Sequence, residues 1–270
     1  MKVVILCGGK GTRLKEETEY KPKPLVTVGG MPLVWHIMKI YSHYGFRDFI
    51  LCLGYKGDMI KDYFLHFEEL TNDFTLQLRN NTSRIIHHDN DILEDWNITF
   101  VNTGMETQTG GRIARIKHLV DQDEDFFLTY GDGVCDVRIP DVYDLHKKTG
   151  AIVTVTGVQP ATHYGILDVQ DGMAKSFKEK PHIESIINGG FKVCNRNVFD
   201  YITEDKDCIF EQEPLQRLAR EGKLAVHKHT GFWYAMDTSK QHEELNAIWN
   251  AGNPPWKVWD HQPRSFYDNG

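Results

Sequence analysis

Four consecutive apolar residues, Val3 to Leu6, run straight into a glycine-rich loop. A run of that kind suits a strand covered on both faces. Leu33, Val34, Ile37, Met38, Ile40 and Tyr41 then recur at helical spacing, with Gly45 as the stop. Phe49 to Leu53 reads as a second buried strand closed by Gly54, and Gly57 to Leu65 as a helix with apolar Met59, Ile60, Tyr63 and Phe64. Ile98 to Val101 is a third strand. Ile113, Ile116, Lys117, Leu119 and Val120 predict a further helix, and Phe126 to Thr129 a fourth strand running into Tyr130-Gly131-Asp132-Gly133. This alternation predicts an α/β fold, a mostly parallel sheet with helices on both faces. Ligands in such sheets bind beyond the carboxyl ends of the strands.

The second half is less regular. Ile152 to Val158 alternates apolar residues with Thr and reads as a strand, and 160–180 as an antiparallel excursion with Gly165 and Asp171-Gly172 as turn signals. Glu211 to Arg220 and Ser239 to Trp249 look helical. The stretch from Ala251 to Gly270, with Pro254-Pro255, Pro263, Trp256, Trp259 and Phe266, reads as an extended arm packing on the body or on a neighbouring subunit. Residues 66–96 are polar and carry no clear period. Within them, His87-His88-Asp89-Asn90-Asp91 has metal-ligating residue types, but adjacent side chains on an extended segment point to opposite faces, so a solvated loop is expected.

Composition narrows the function. Of 270 residues, 40% are hydrophobic and 26% charged, the balance of a folded globular protein. The net charge of -7 has the wrong sign for a general nucleic-acid or membrane-surface binder, so any phosphate ligand must be held by a few local cations. No apolar run approaches a membrane span, and the short apolar start lacks the features of a secretory signal. Five widely spaced cysteines with no C-x-x-C pair suggest reduced thiols in a cytoplasmic protein.

The densest chemical signal is Leu6-Cys7-Gly8-Gly9-Lys10-Gly11-Thr12-Arg13-Leu14. Glycines after a buried strand let backbone N–H groups approach an anion. The run is neither a P-loop nor a dinucleotide fingerprint, since Leu14 stands where a third glycine is needed. Lys21-Pro22-Lys23-Pro24 follows, where the prolines restrict the backbone so that a lysine can be aimed. Asp132 stands just past a buried run, where a strand's carboxyl end places its side chain at the rim.

These two motifs, together with Trp35-His36-Ile37-Met38, Gly54-Tyr55-Lys56-Gly57, Thr109-Gly110-Gly111-Arg112, Tyr130-Gly131-Asp132-Gly133, Phe177-Lys178-Glu179-Lys180-Pro181, Ile187-Asn188-Gly189-Gly190-Phe191, Gly231-Phe232-Trp233 and Met236-Asp237-Thr238, resemble the sugar-nucleotide pyrophosphorylases, or nucleotidyltransferases. Within that family the set looks most like the branch that makes CDP-glucose from CTP and glucose 1-phosphate. The resemblance covers roughly residues 1–260, fits 66–96 least well, and has Cys7 where a small residue is usual.

The resemblance implies a Rossmann-like, mostly parallel mixed sheet of the nucleotidyltransferase (GT-A-like) type, with a smaller antiparallel sugar-binding portion and a C-terminal arm. It implies one domain over 1–250, its nucleotide-binding half at about 1–135 and its sugar-binding half at about 136–250, with 251–270 as the arm. Arg13, Lys23 and Asp132 would be catalytic. Leu6, Gly8, Gly9, Gly11, Thr12, Arg13, Lys23, Thr109, Gly110 and Arg112 would bind the nucleotide, with Gly8 and Gly110 reading the cytosine edge. Gly165, Glu179, Lys180, Asn188 and Gly189 would hold the sugar phosphate, and Asp132 and Asp237 a Mg²⁺ ion. A homo-oligomer is also implied, with a hexamer as one form it could take. The same chemistry with UTP or dTTP or on another sugar phosphate is the near alternative. From other classes, a GT-A glycosyltransferase would use a D-x-D motif, which Asp121-Gln122-Asp123 and Asp89-Asn90-Asp91 match only in letters. A non-catalytic sugar-nucleotide-binding regulator would be expected to lack Arg13, Lys23 or Asp132.

Overall fold

The computed structural model describes residues 1–11, 14–79, 82–87, 94–159, 166–178 and 185–260. In β1 (Val3–Cys7) every residue is buried, because both faces of the sheet are covered. Val3, Ile5 and Cys7 enter one core, and Val4 and Leu6 enter the other. The strand period of two thus splits one apolar run between two layers. Six more strands complete the sheet: β2 (Asp48–Leu53), β3 (Asn97–Asn102), β4 (Asp125–Tyr130), β5 (Val153–Val158), β6 (Ile187–Asn195) and β7 (Leu224–His229). Their order is β7-β5-β6-β4-β1-β2-β3. Only β6 runs against its neighbours; the other pairings are parallel. The carboxyl ends of β1, β2 and β4 therefore share one rim.

Helices cover both faces. Helix α1 (Leu33–His43) buries Leu33, Val34, Ile37, Met38, Ile40 and Tyr41 in the first core, as its periodicity predicts. Helix α2 (Gly57–Leu65) adds Ile60 to the same side. On the other face, α3 (Thr109–Arg115) contributes Ile113 and Ala114. Helix α4 (Ile139–Thr149) returns to the first face, α5 (Glu213–Arg220) packs Leu215 and Leu218 on the second, and α6 (Ser239–Asn250) places Leu245 in the first. After Pro254, Trp256 is fully buried against Phe232, Trp249 and His36, so this part of the arm is core.

Several expectations shift. The helix expected over 113–120 is two, Thr109–Arg115 and Lys117–Val120. Strands β6 and β7 are not expected from the apolar pattern. Asn188-Gly189-Gly190 inside β6 mimics a turn, and β7 is an edge strand whose sequence Leu-Ala-Val-His-Lys-His is polar because only one neighbour pairs with it. Within 66–96 lie a short helix, Phe67–Thr71, and a hairpin, Phe74–Arg79 with Thr82–His87. The solvated loop expected there is thus corrected at His87, which ends a strand; His88 to Asp91 lie outside the described residues. The excursion is a hairpin of Ile166–Gln170 and Met173–Lys178, turned by Asp171-Gly172, both at positive φ. All five cysteines are free, four of them buried. Among the described residues, no helix is long and apolar enough to cross a membrane.

Candidate active site

Two carboxylates far apart in sequence meet through a small ribbon. Past β4 the chain turns at Gly131 and Asp132 and continues as a short strand, Gly133–Cys135. That strand pairs antiparallel with Trp233–Ala235, with Gly133 opposite Ala235. The pairing places Met236 beside Asp132, and the Met236 N–H donates to the Asp132 carbonyl at 2.9 Å. Asp237 follows at the start of α6. Here Thr238 caps the helix, and the Gln241 side-chain oxygen accepts from the N–H groups of Asp237 (2.8 Å) and Thr238 (3.0 Å). A helix cap thus fixes the backbone that carries the second carboxylate.

Lys23 joins them. It lies in a one-turn 3₁₀ segment, Lys23–Leu25, entered through Pro22. Its ammonium donates to Asp132 Oδ2 at 3.0 Å and to Asp237 Oδ1 at 2.8 Å. The lysine is nearly buried while both carboxylates stay partly open to the cleft. Two carboxylates around one ammonium leave the cluster one negative charge, and their hard oxygens face a single cationic centre. That donor set fits a divalent cation such as Mg²⁺, which favours carboxylate together with phosphate oxygens.

Beside the cluster, the loop after β1 is braced by Arg112. Its guanidinium is buried and donates to the carbonyls of Gly8 (3.0 Å), Leu53 (3.0 Å) and Met105 (3.3 Å), and to Thr103 Oγ1 (2.8 Å). A Cβ on Gly8 would lie 2.2 Å from that guanidinium. Gly8 is therefore needed as much for the close approach of Arg112 as for any ligand. The resemblance directs Arg112 to the triphosphate; in the fold its charge is turned onto backbone carbonyls that hold the cleft loops. At the start of α3, Thr109 Oγ1 donates to Glu211 Oε2 at 2.6 Å and accepts from the Phe210 N–H at 2.9 Å. The Gly111 N–H bonds the Cys208 carbonyl at 3.1 Å, so the Gly110-Gly111 pair is packed against the segment before α5.

One cleft, beyond the carboxyl ends of β1 and β4, is lined by Leu6, Gly8, Gly9, Gly11, Lys23, Thr109, Arg112, Asp132 and Asp237 from the sequence reading, and also by Tyr130, Thr107 and Gln108. Gly110 sits one residue behind this lining. Asn188 is exposed on the neighbouring β6, and the Gly189 carbonyl accepts from Trp233 Nε1 at 2.6 Å. Thr12, Arg13, Gly165, Glu179 and Lys180 lie outside the described residues. The Asp121-Gln122-Asp123 motif stands at the start of β4, the far end from the cleft, where Asp123 pairs with Lys2 at 2.9 Å. Asp89 to Asp91 lie outside the described residues.

Tyr130, Glu211 and Lys192, all absent from the sequence-derived site, are linked to one another beside the cleft. The Tyr130 hydroxyl donates to Glu211, and burial together with that carboxylate pushes its pKa well above the ordinary tyrosine value. Under the Tyr130 ring, 3.8 Å from its centre, lies the ammonium of Lys192, which is almost wholly buried. Burial lowers Lys192 to about 8, against the opposing pull of Glu211, Cys194 and Asp132. The available signal was a charged residue inside the apolar run Phe191-Lys192-Val193-Cys194, where a lysine is rare unless it has a task.

The nucleotidyl transferase family matches residues 2–249. The chain is 49% identical over 259 residues to a probable glucose-1-phosphate cytidylyltransferase of Bacillus subtilis, covering 96% of this chain and all of that one. It is 47% identical over 261 residues to the glucose-1-phosphate cytidylyltransferase of Salmonella typhi, with the same coverage. A solved structure from Bacillus anthracis, named a putative glucose-1-phosphate thymidylyltransferase, shares the fold at 17% identity, with a TM-score of 0.65 over 92% of this chain and 95% of that one. With a matching sheet, a match spanning nearly the whole chain and a lysine–dicarboxylate cluster at the sheet's carboxyl rim, the chain belongs to the nucleotidyl transferase family.

Proposed function

We propose that the protein transfers the cytidylyl group of CTP to α-D-glucose 1-phosphate, giving CDP-glucose and pyrophosphate. The observation that carries this reading is the Lys23–Asp132–Asp237 cluster beside the glycine loop, in a chain 46–49% identical to proteins named for that activity. In the reaction an oxygen of the sugar phosphate bonds to the α-phosphorus, while the bond from that phosphorus to the bridging oxygen breaks and pyrophosphate leaves. The nucleophile is already ionised near neutral pH, so no general base is needed. What the protein must supply is alignment and charge.

Asp132 and Asp237 would hold Mg²⁺, which neutralises phosphate charge when bound. Lys23, within reach of both carboxylates, would meet the α-phosphate region, with Arg13 toward the leaving phosphates. The residues around Leu6, Gly8, Gly9, Gly11, Thr12, Thr109 and Gly110 would receive the nucleotide, and Arg112 would hold their loops in shape. Gly165, Glu179, Lys180, Asn188 and Gly189 would receive the sugar phosphate. On this division the nucleotide half extends to about residue 135 and the sugar half from 136 to 250, in a cytoplasmic homo-oligomer. The test is a pyrophosphate-release screen of the purified protein with CTP, UTP, dTTP, ATP and GTP against a panel of sugar 1-phosphates and Mg²⁺. CTP with glucose 1-phosphate should give the highest kcat/KM. A different sugar or base in first place, or no turnover with any pair, would refute the reading.

A further inference from the structure

Lys192 closes a ring of contacts around the exposed amide of Asn188. Its ammonium donates to the Gly190 carbonyl at 3.0 Å and lies under the Tyr130 ring. The Gly190 N–H, on the same residue, donates to Asn188 Oδ1 at 3.0 Å. Asn188 Nδ2 in turn donates to the Tyr130 hydroxyl at 3.4 Å. Lysine, glycine, asparagine and tyrosine thus form a closed circuit, with the cation buried at its base and the amide exposed at its top. Gly190 has φ +96°, and a Cβ there would lie 2.9 Å from the Tyr130 ring, so only glycine lets the ring approach this strand.

The circuit determines which way the amide points. With Oδ1 taking one N–H and Nδ2 giving one, Asn188 keeps one lone pair and one N–H free on its exposed side. That is a matched acceptor and donor, the pattern that binds vicinal sugar hydroxyls. Glu211, held by Tyr130 and Thr109, keeps the tyrosine hydroxyl in place from the nucleotide side. A buried lysine is costly unless its interactions repay the desolvation. Here the repayment is a carbonyl, a ring face and the nearby Glu211 carboxylate, all belonging to the frame of the cleft.

We propose that Lys192 is a positioning residue that locks the Asn188 amide for recognition of the sugar hydroxyls, acting through Gly190 and Tyr130 without itself touching substrate. The inference rests on the sugar 1-phosphate reading given above. It predicts that Lys192→Met, close in size but uncharged, raises the KM for glucose 1-phosphate about tenfold, the effect of roughly one lost hydrogen bond. The KM for CTP and kcat should stay within about twofold. Asn188→Ala should show the same pattern, and the double variant should be no worse than Asn188→Ala alone, since both changes break one circuit. Tyr130→Phe, which removes only the hydroxyl, should raise the same KM with less risk to folding.

Melting temperatures separate stability from recognition. Loss of stability in Lys192→Met with unchanged KM values would assign the lysine to structure alone and overturn the proposal. So would fully additive effects of Lys192→Met and Asn188→Ala. Should Lys192→Met fail to fold, a wild-type KM for glucose 1-phosphate in Tyr130→Phe overturns it equally. An inactive wild-type protein that also binds no sugar 1-phosphate in calorimetry would refute the functional reading and this inference together. Normal wild-type turnover with an insensitive Tyr130→Phe or Lys192→Met refutes only the inference.

Discussion

His36 makes the protein acid-labile in a definite window. The ring is fully buried among Trp35, Trp249, Trp256 and Trp259. Its Nε2 lies 2.9 Å from the Val28 carbonyl and so must donate, while Nδ1 accepts from Trp256 Nε1 at 3.4 Å. Both nitrogens are satisfied only in the neutral form. Burial lowers its pKa to about 4, and Lys257 pushes the same way against the carbonyls of Val28 and Met31. In the unfolded chain the value is about 6.5. Because the folded pKa is depressed, the unfolded state binds a proton first, and stability falls as pH drops from 6.5 toward 4. At about 1.4 kcal/mol per unit the full loss is about 3 kcal/mol, of which about 2 kcal/mol has gone by pH 5.

Urea unfolding at pH 7 and pH 5, followed by tryptophan fluorescence, measures this directly. His36→Gln, which cannot titrate, should lose about 2 kcal/mol less than wild type over that interval. His227, also lowered by burial, contributes with the same sign, and Glu94, raised by burial, with the opposite one; both are common to the two proteins and cancel in the difference. Parallel pH dependences of wild type and His36→Gln would refute the reasoning, because His36 would then carry no buried-neutral penalty.

Other expected outcomes test the cleft. Asp132→Asn and Asp237→Asn should each cost ~100-fold or more in kcat, with the double variant little worse than the poorer single, and chelation should abolish activity until Mg²⁺ is restored. Near-normal turnover in either single variant at low Mg²⁺ would remove that residue from the proposed metal site. Arg112→Met removes charge-assisted hydrogen bonds to the Gly8, Leu53 and Met105 carbonyls and to Thr103, although Gly8 keeps the Tyr55 N–H and Leu53 the Thr103 donors, and should cost about 2 kcal/mol in chemical denaturation while raising the KM for CTP; unchanged stability would contradict the bracing role. A base site built on hydrogen bonds to a small pyrimidine edge should prefer CTP over ATP and GTP by orders of magnitude in kcat/KM, and equal use of a purine triphosphate would contradict it.

Much of this molecule is legible along the chain because its signals are local. An apolar run with a glycine after it becomes a doubly covered strand wherever it sits, so β1, β2 and β4, helix α1 and the rim position of Asp132 follow from the amino-acid order. The glycine loop, the Lys23 turn and the family they resemble are local in the same sense. Strand β6 escapes because Gly190 serves a close approach to Tyr130 and Gly189 one to Val158, contacts that exist only once β4 and β5 lie beside it, and β7 because an edge strand needs less apolar sequence. Convergence is the part that only tertiary structure decides. A hydrogen-bond register between two three-residue strands brings Asp237 to Asp132 and Lys23, and packing across the sheet turns Arg112 inward and sets Lys192 beneath Tyr130. Residue types can announce that a carboxylate or a lysine has a task, but the partner that defines the task is a hundred positions away, and only closure of the fold brings the two within hydrogen-bonding distance.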